Sequence, residues 1–336
     1  LPSLVRYQYL MKPEKKPRKI PALVRWIGWV LLVQFILINV CAAIYAYRFT
    51  CFREASARPA DDKAPSHFFA KTWHLFTGPA SYKVAFNPAD TPVVRHQSFT
   101  LHTSSGIPIE GWWLKQDSAK GTMLLFHGLA GSRQRCLAEA IAFYNMGYQV
   151  LLIDFRAHGE SGGAVTTYGA RETEEVHLLY EYARAQQLNN ISFWGISMGA
   201  STVLKAMHDY PDMQPKVIIA DAPFNRLQDH LKGRARAVGF PEQPFAWLVT
   251  GWMSVERGFN AFGYATENYT AAIKCPVLLQ WGSLDALVTE KEVRAVYEKI
   301  GSSRKKWMVY ENLGHTSFLR EDPALWHRTI NDFLNQ

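Results

Sequence analysis

The sequence predicts an α/β fold: a mostly parallel β-sheet with helices on both faces, preceded by one N-terminal transmembrane helix. Three observations predict it. Short runs rich in Val, Ile and Leu recur from residue 95 onward, separated by helical stretches, as in a sheet buried on both faces. One serine, Ser197, stands between two glycines directly after such a run, in "FWGISMGAS". Finally, the 22 residues between Arg25 and Arg48 carry no charge.

The uncharged run "WIGWVLLVQFILINVCAAIYAY" occupies residues 26–47. As a helix it rises about 33 Å at about 1.5 Å per residue, matching a bilayer core of about 30 Å. Trp26 and Trp29 at one end, with Tyr45 and Tyr47 at the other, suit the two interfaces. A cleaved signal peptide is the rival reading, but its apolar core spans only about 7–15 residues. Seven lysines and arginines precede the run, from Arg6 to Arg25, and four follow it closely, from Arg48 to Lys63. That bias predicts a basic cytoplasmic N-terminus over 1–25 and the rest of the chain across the membrane, in a bacterium the periplasm. Residues 48–94 read as a polar linker, "ASARPADDKAPSH", followed by the aromatic-rich segment "FFAKTWHLFTGPASY", which packs on the domain or rests on the membrane.

The catalytic-domain candidate spans 95–335. "RHQSFTLHTSSGIPIEGWWLKQ" reads as a hairpin. Strands follow at "GTMLLFHG", "YQVLLIDF", "NISFWG", "KVIIADAPF", "CPVLLQWG" and "KKWMVYE". Helices are expected at about 133–146, about 170–188, after Ser197, at about 290–300 and from about Pro323. A length of 336 residues accommodates one large domain with attachments, and 48% hydrophobic against 20% charged residues excludes general disorder. Much of the net charge of +8 sits before residue 26, so no nucleic-acid partner is implied. Cys41, Cys51, Cys136 and Cys275 lack metal-ligand spacing, so no metal and no disulfide is expected.

The ligand site of such a sheet lies beyond the carboxyl ends of its strands. There the sequence places His127 and Gly128, Ser197, Asp285 in "WGSLDALV", and His315 in "NLGHTSF". A serine hydroxyl is a poor nucleophile until a base takes its proton. His315 can serve as that base, held in the right tautomer by Asp285. Asp221, in "ADAPF", is the alternative acid. The backbone N–H groups of Leu129 and Met198 are the candidate oxyanion donors, each worth about 2.7–4 kcal/mol in the transition state.

These motifs resemble the α/β-hydrolase superfamily, in particular the serine aminopeptidase/monoacylglycerol lipase-like group and its membrane-anchored bacterial relatives. The resemblance rests on "LLFHGLAGSR", "LLIDFRAHGESGG", "GISMGAS", "CPVLLQWGSLDALV" and "NLGHTSF", and covers about residues 95–335. It implies structural roles for Asp154, Arg156 and His158, and a helical cap over 225–272. The cap aromatics and their neighbours, Phe240, Phe245, Trp247, Leu248, Trp252, Met253 and Phe259, exceed what a solvated connection needs. Phe245, Trp247 and Trp252 are the candidate substrate-binding residues. The expected activity is hydrolysis of a small-molecule acyl ester or lipid without cofactor. The alternatives are a peptidase or amidase, and an acyltransferase or non-catalytic scaffold on the same fold.

Overall fold

The computed structural model describes residues 21–58, 76–237, 239 and 241–335. Most of the basic N-terminus, most of the polar linker, the start of the aromatic segment and Phe240 lie outside the described residues. The chain divides into an N-terminal unit ending at Val40 and a second unit beginning at Cys41.

Helix α1 (Ala22–Thr50) begins in the N-terminal unit and ends in the second, and it exceeds the expected 26–47 at both ends. From Ala22 to Ile38 its apolar side chains are exposed all round, among them Trp26, Trp29, Leu31, Phe35 and Leu37, whereas Ala42, Tyr45, Ala46 and Phe49 near its C-terminal end are buried. A helical stretch apolar on every side with no buried face is suited to lipid. It is long and apolar enough to cross a membrane, with a mean hydropathy of 2.4.

In the second unit, β1 (Phe52–Arg53) and β2 (Ser81–Tyr82) form a small parallel pair. The main sheet comprises β3 (His96–His102), β4 (Pro108–Leu114), β5 (Gly121–Phe126), β6 (Tyr148–Ile153), β7 (Ile191–Ile196), β8 (Ile218–Asp221), β9 (Val277–Gly282) and β10 (Lys305–Tyr310). Their order is β10-β9-β8-β7-β5-β6-β4-β3. β4 runs antiparallel to both its neighbours and every other pairing is parallel.

Alternate residues of these strands feed two cores. Leu124, Phe126, Leu151, Ile153 and Phe193 face one side, with Val176 and Leu179 of α3 (Thr173–Ala185), Val203 and Leu204 of α4 (Met198–Asp209), and Val293 and Val296 of a later helix, Glu290–Lys299. Met123, Leu125, Leu152, Trp194 and Ile219 face the other, with Phe143 of α2 (Leu137–Asn145) and Trp326 and Phe333 of the last helix, Pro323–Leu334. Each such side chain contributes about 1.5–3 kcal/mol of burial free energy.

The pairing register brings the carboxyl ends of the parallel strands level. Phe126 pairs with Ile153 and Gly195, Ile196 with Asp221, Asp221 with Gln280, and Gly282 with Tyr310. The connections that leave this edge carry the functional residues.

Between β8 and β9 lie α5 (Leu227–Ala237), α6 (Phe245–Arg257) and two short 3-10 turns. A bridge between Arg226 and Ala265 pins the two ends of this segment together. Ala246, Val249, Thr250 and Met253 form the buried face of α6.

Candidate active site

β7 ends at Ile196 and α4 begins at Met198, leaving Ser197 alone at the corner. Its φ of 53° and ψ of −117° are values a non-glycine residue holds only under constraint. The constraint is visible: the Ser197 N–H donates to the Asp221 carbonyl at 2.7 Å, and its own carbonyl accepts from the Ser201 N–H at 3.0 Å. Both flanking glycines are sterically required. A Cβ on Gly195 would lie 2.8 Å from the Ala200 nitrogen, and one on Gly199 would run into the Phe126 and His127 carbonyl oxygens.

His315 follows β10, and its Nε2 lies 2.9 Å from Ser197 Oγ. Its Nδ1 lies 2.6 Å from Asp285 Oδ2. An ionised carboxylate only accepts, which assigns the imidazole proton to Nδ1 and leaves Nε2 free to accept from the serine hydroxyl. The Asp285 side chain is fully buried. Its Oδ1 accepts the N–H groups of Leu287 and Val288, both at 2.8 Å, while the Trp281 indole donates to the Val288 carbonyl at 2.9 Å. The loop after β9 therefore fixes the acid.

Asp221 has a different setting. Its Oδ1 accepts from Gln280 Nε2 at 2.7 Å and its Oδ2 from Trp194 Nε1 at 3.1 Å. Burial pushes its carboxyl up to about 8.

The loop after β5 is shaped by His127. Its Nε2 accepts the Phe155 N–H at 3.0 Å, and its Nδ1 lies 2.7 Å from the Gly128 carbonyl. Burial holds this imidazole down to about 4, so at neutral pH Nδ1 carries a single donating proton. Leu129 comes next in the loop. Met198, as the first residue of α4, has a backbone N–H without an intrahelical acceptor.

The "DFRAHGESGG" loop is held by its own polar groups. Asp154 accepts the N–H groups of Arg133 (2.5 Å) and Glu160 (2.9 Å) and pairs with the Arg133 guanidinium, while Arg156 pairs with Glu175 and Glu174. His158 is buried, with Nδ1 at 2.9 Å from the Arg156 carbonyl.

A cavity of about 380 Å³ opens beside the serine. It is lined by His127 to Gly131, Arg135, Cys136, Glu139, Trp194, Ile196, Ser197, His315, Thr316, Ser317 and Arg320. Ser197, Leu129 and His315 thus share one space. The expected substrate-binding aromatics do not line it. Phe245 meets Tyr45 edge-on at 5.0 Å, Trp247 is exposed and lies 5.8 Å from the Phe262 ring, and Phe245 and Trp252 pack against the main core. The apolar face of α6 is committed to packing. Conversely, the sequence reading does not single out Arg135, Glu139, Ser317 or Arg320. The available signal was proximity: Arg135 follows Gly128 by seven residues and Arg320 follows His315 by five.

Eight strands in this order, with a serine turned out at the central strand–helix corner, make up the α/β-hydrolase fold. Within it, residues 117–256 match the profile of the serine aminopeptidase family, S33. The chain is similar to esterase Pf2001 of Pyrococcus furiosus, at 27% identity and a TM-score of 0.61 over 75% of this chain and 97% of that one. It is also similar to uncharacterized protein YqkD of Bacillus subtilis, at 24% identity over 71% of this chain and 79% of YqkD. A third relative is the lysophosphatidylserine lipase ABHD12 of Danio rerio, at 24% identity over 65% of this chain and 62% of that protein.

Proposed function

We propose that the protein is a membrane-anchored serine hydrolase that cleaves carboxylic esters of acyl or lipid type. Ser197 Oγ attacks the ester carbonyl as His315 Nε2 takes its proton. The oxyanion is received by the N–H groups of Leu129 and Met198. The carbon–oxygen bond to the alcohol then breaks, and His315 returns the proton to the departing alcohol. Water, deprotonated by His315, releases the acid from Ser197.

The observation that carries this reading is the unbroken relay from Ser197 Oγ through His315 to Asp285, at 2.9 and 2.6 Å. The esterase and lipase named among the similar proteins support ester hydrolysis. An aminopeptidase has to receive a substrate ammonium, and the cavity beside Ser197 instead presents Arg135 and Arg320. The apolar α1 supports membrane attachment, and the excess of basic residues before it supports a catalytic unit outside the cytoplasm.

The test is Ser197→Ala in an otherwise folded chain. Ester turnover should fall by a factor on the order of 10⁶, and labelling by a fluorophosphonate probe should vanish. Retained turnover with labelling at another serine would refute the assignment.

A further inference from the structure

The cavity beside Ser197 is asymmetric in charge. Two arginines line it, Arg135 and Arg320, both exposed. Arg320 Nη2 donates to the Arg135 carbonyl at 3.1 Å, so the second arginine is anchored on the backbone of the first. Among the described residues neither guanidinium meets a carboxylate. Nearby arginines do: Arg133 pairs with Asp154 and Glu160, and Arg156 with Glu174 and Glu175.

The acid lining this cavity is Glu139. It is buried, its Oε1 accepts from Ser317 Oγ at 2.5 Å, and its Oε2 has no partner among the described residues. Burial raises its carboxyl above the ordinary range, against the opposing pull of Ser317 and Arg320, which weakens it as a counter-charge.

Arg320 lines the same cavity as His315 and follows it by five residues, and that proximity has chemical meaning. The proton that His315 removes from Ser197 must be handed to the leaving oxygen, so the alcohol half departs past His315. Thr316, Ser317 and Arg320 follow His315 in the chain and line the same space. The acyl half stays on the serine. A phosphate monoester offers two guanidinium groups three terminal oxygens and up to two negative charges, whereas a carboxylate offers two oxygens and one charge.

We propose that Arg135 and Arg320 bind a phosphate group carried on the alcohol half of the ester substrate. The site thereby selects phosphate-bearing lipid esters over their neutral counterparts. This rests on the assignment of His315 as the base that protonates the leaving alcohol.

The experiment uses the full chain in detergent micelles and two substrates that differ only in the phosphate, 1-oleoylglycerol 3-phosphate and 1-oleoylglycerol. The wild type should favour the phosphate ester in kcat/KM. Arg135→Gln and Arg320→Gln should each lower that preference about tenfold, the scale of one charge-assisted hydrogen bond. Arg320→Lys, which keeps the charge but loses the fork, should lower it less.

Calorimetry on the Ser197→Ala protein supplies a readout that needs no turnover. Glycerol 3-phosphate should bind, inorganic phosphate should compete with it, and adding either glutamine substitution should weaken the binding about tenfold. A wild type that prefers the neutral ester, or a preference and binding unchanged in both variants, would overturn the proposal. Turnover that survives Ser197→Ala would instead refute the catalytic assignment, leaving the calorimetric result to judge the arginines. If a glutamine variant does not fold, the lysine variant decides by the same ratio.

Discussion

Trp194 Nε1 donates to Asp221 Oδ2 at 3.1 Å, one strand away from the residue that bears the serine elbow. With Gln280 on the other oxygen, Asp221 is a buried strut between β7 and β9. Asp285 alone of these two acids bonds to His315.

The two acids should therefore respond differently to the same substitution. In Asp285→Asn, the N–H groups of Leu287 and Val288 keep the amide oxygen and aim the amide nitrogen at His315. The imidazole proton is then driven to Nε2, where it cannot accept from Ser197. Turnover of an ester should fall by about 10⁴ with little change in KM. Asp221→Asn should cost stability and change turnover by less than about tenfold. Steady-state kinetics on both variants check this, and equal losses would reinstate Asp221.

Acid should weaken the fold through two imidazoles. His127 and His158 lie 5.1 Å apart, and burial holds both down to about 4, against 6.5 for a free imidazole. The folded chain thus binds fewer protons than the unfolded chain between these values. The stability they contribute is complete above pH 6.5 and is lost as pH falls through 4. Each contributes about 2 kcal/mol of the loss between pH 7.5 and pH 5. Thermal unfolding in detergent at those two pH values should show a smaller difference for His158→Asn than for the wild type.

The aromatic residues of α6 should act on stability and leave acyl preference alone. Phe245→Ala removes a ring packed at 5.0 Å from Tyr45 and should cost about 2–3 kcal/mol. Trp247→Ala, at an exposed position, should shift stability by less than about 1 kcal/mol. In both, the ratio of octanoate to acetate ester hydrolysis should stay within about twofold of the wild type. A flattened chain-length profile would return these side chains to the substrate.

Membrane orientation is open to a reporter test. Alkaline phosphatase joined after residue 58 should be active and a cytoplasmic reporter at the same point silent, since basic residues are retained on the cytoplasmic side. The reverse pattern would put the hydrolase unit in the cytoplasm.

Much of this was legible in the sequence because the chemistry sits where patterns are strongest. β5 and β9 are mostly apolar and buried throughout, so each strand announces itself, and the residue just past it falls at the working edge. The serine elbow is legible because Gly195 and Gly199 are steric requirements of the corner. Less could be read where a pattern says that a face is buried without saying against what. The aromatic spacing of α6 is real, but its partners are Tyr45 and the main core. The pair β1–β2 is two residues long in each strand, too short for any period. Arg135 and Arg320 were hidden because membership of a cavity depends on how two separate short helical turns meet.

The separation of 118 positions between Ser197 and His315 also sets a timetable. Ser197 is synthesised first, after the central strand, whereas His315 follows β10, the outermost strand on that side of the sheet and the last to be made. Under the proposed mechanism, a chain halted before Lys305 lacks the base that Ser197 needs, so hydrolysis would begin only once the final edge strand has docked.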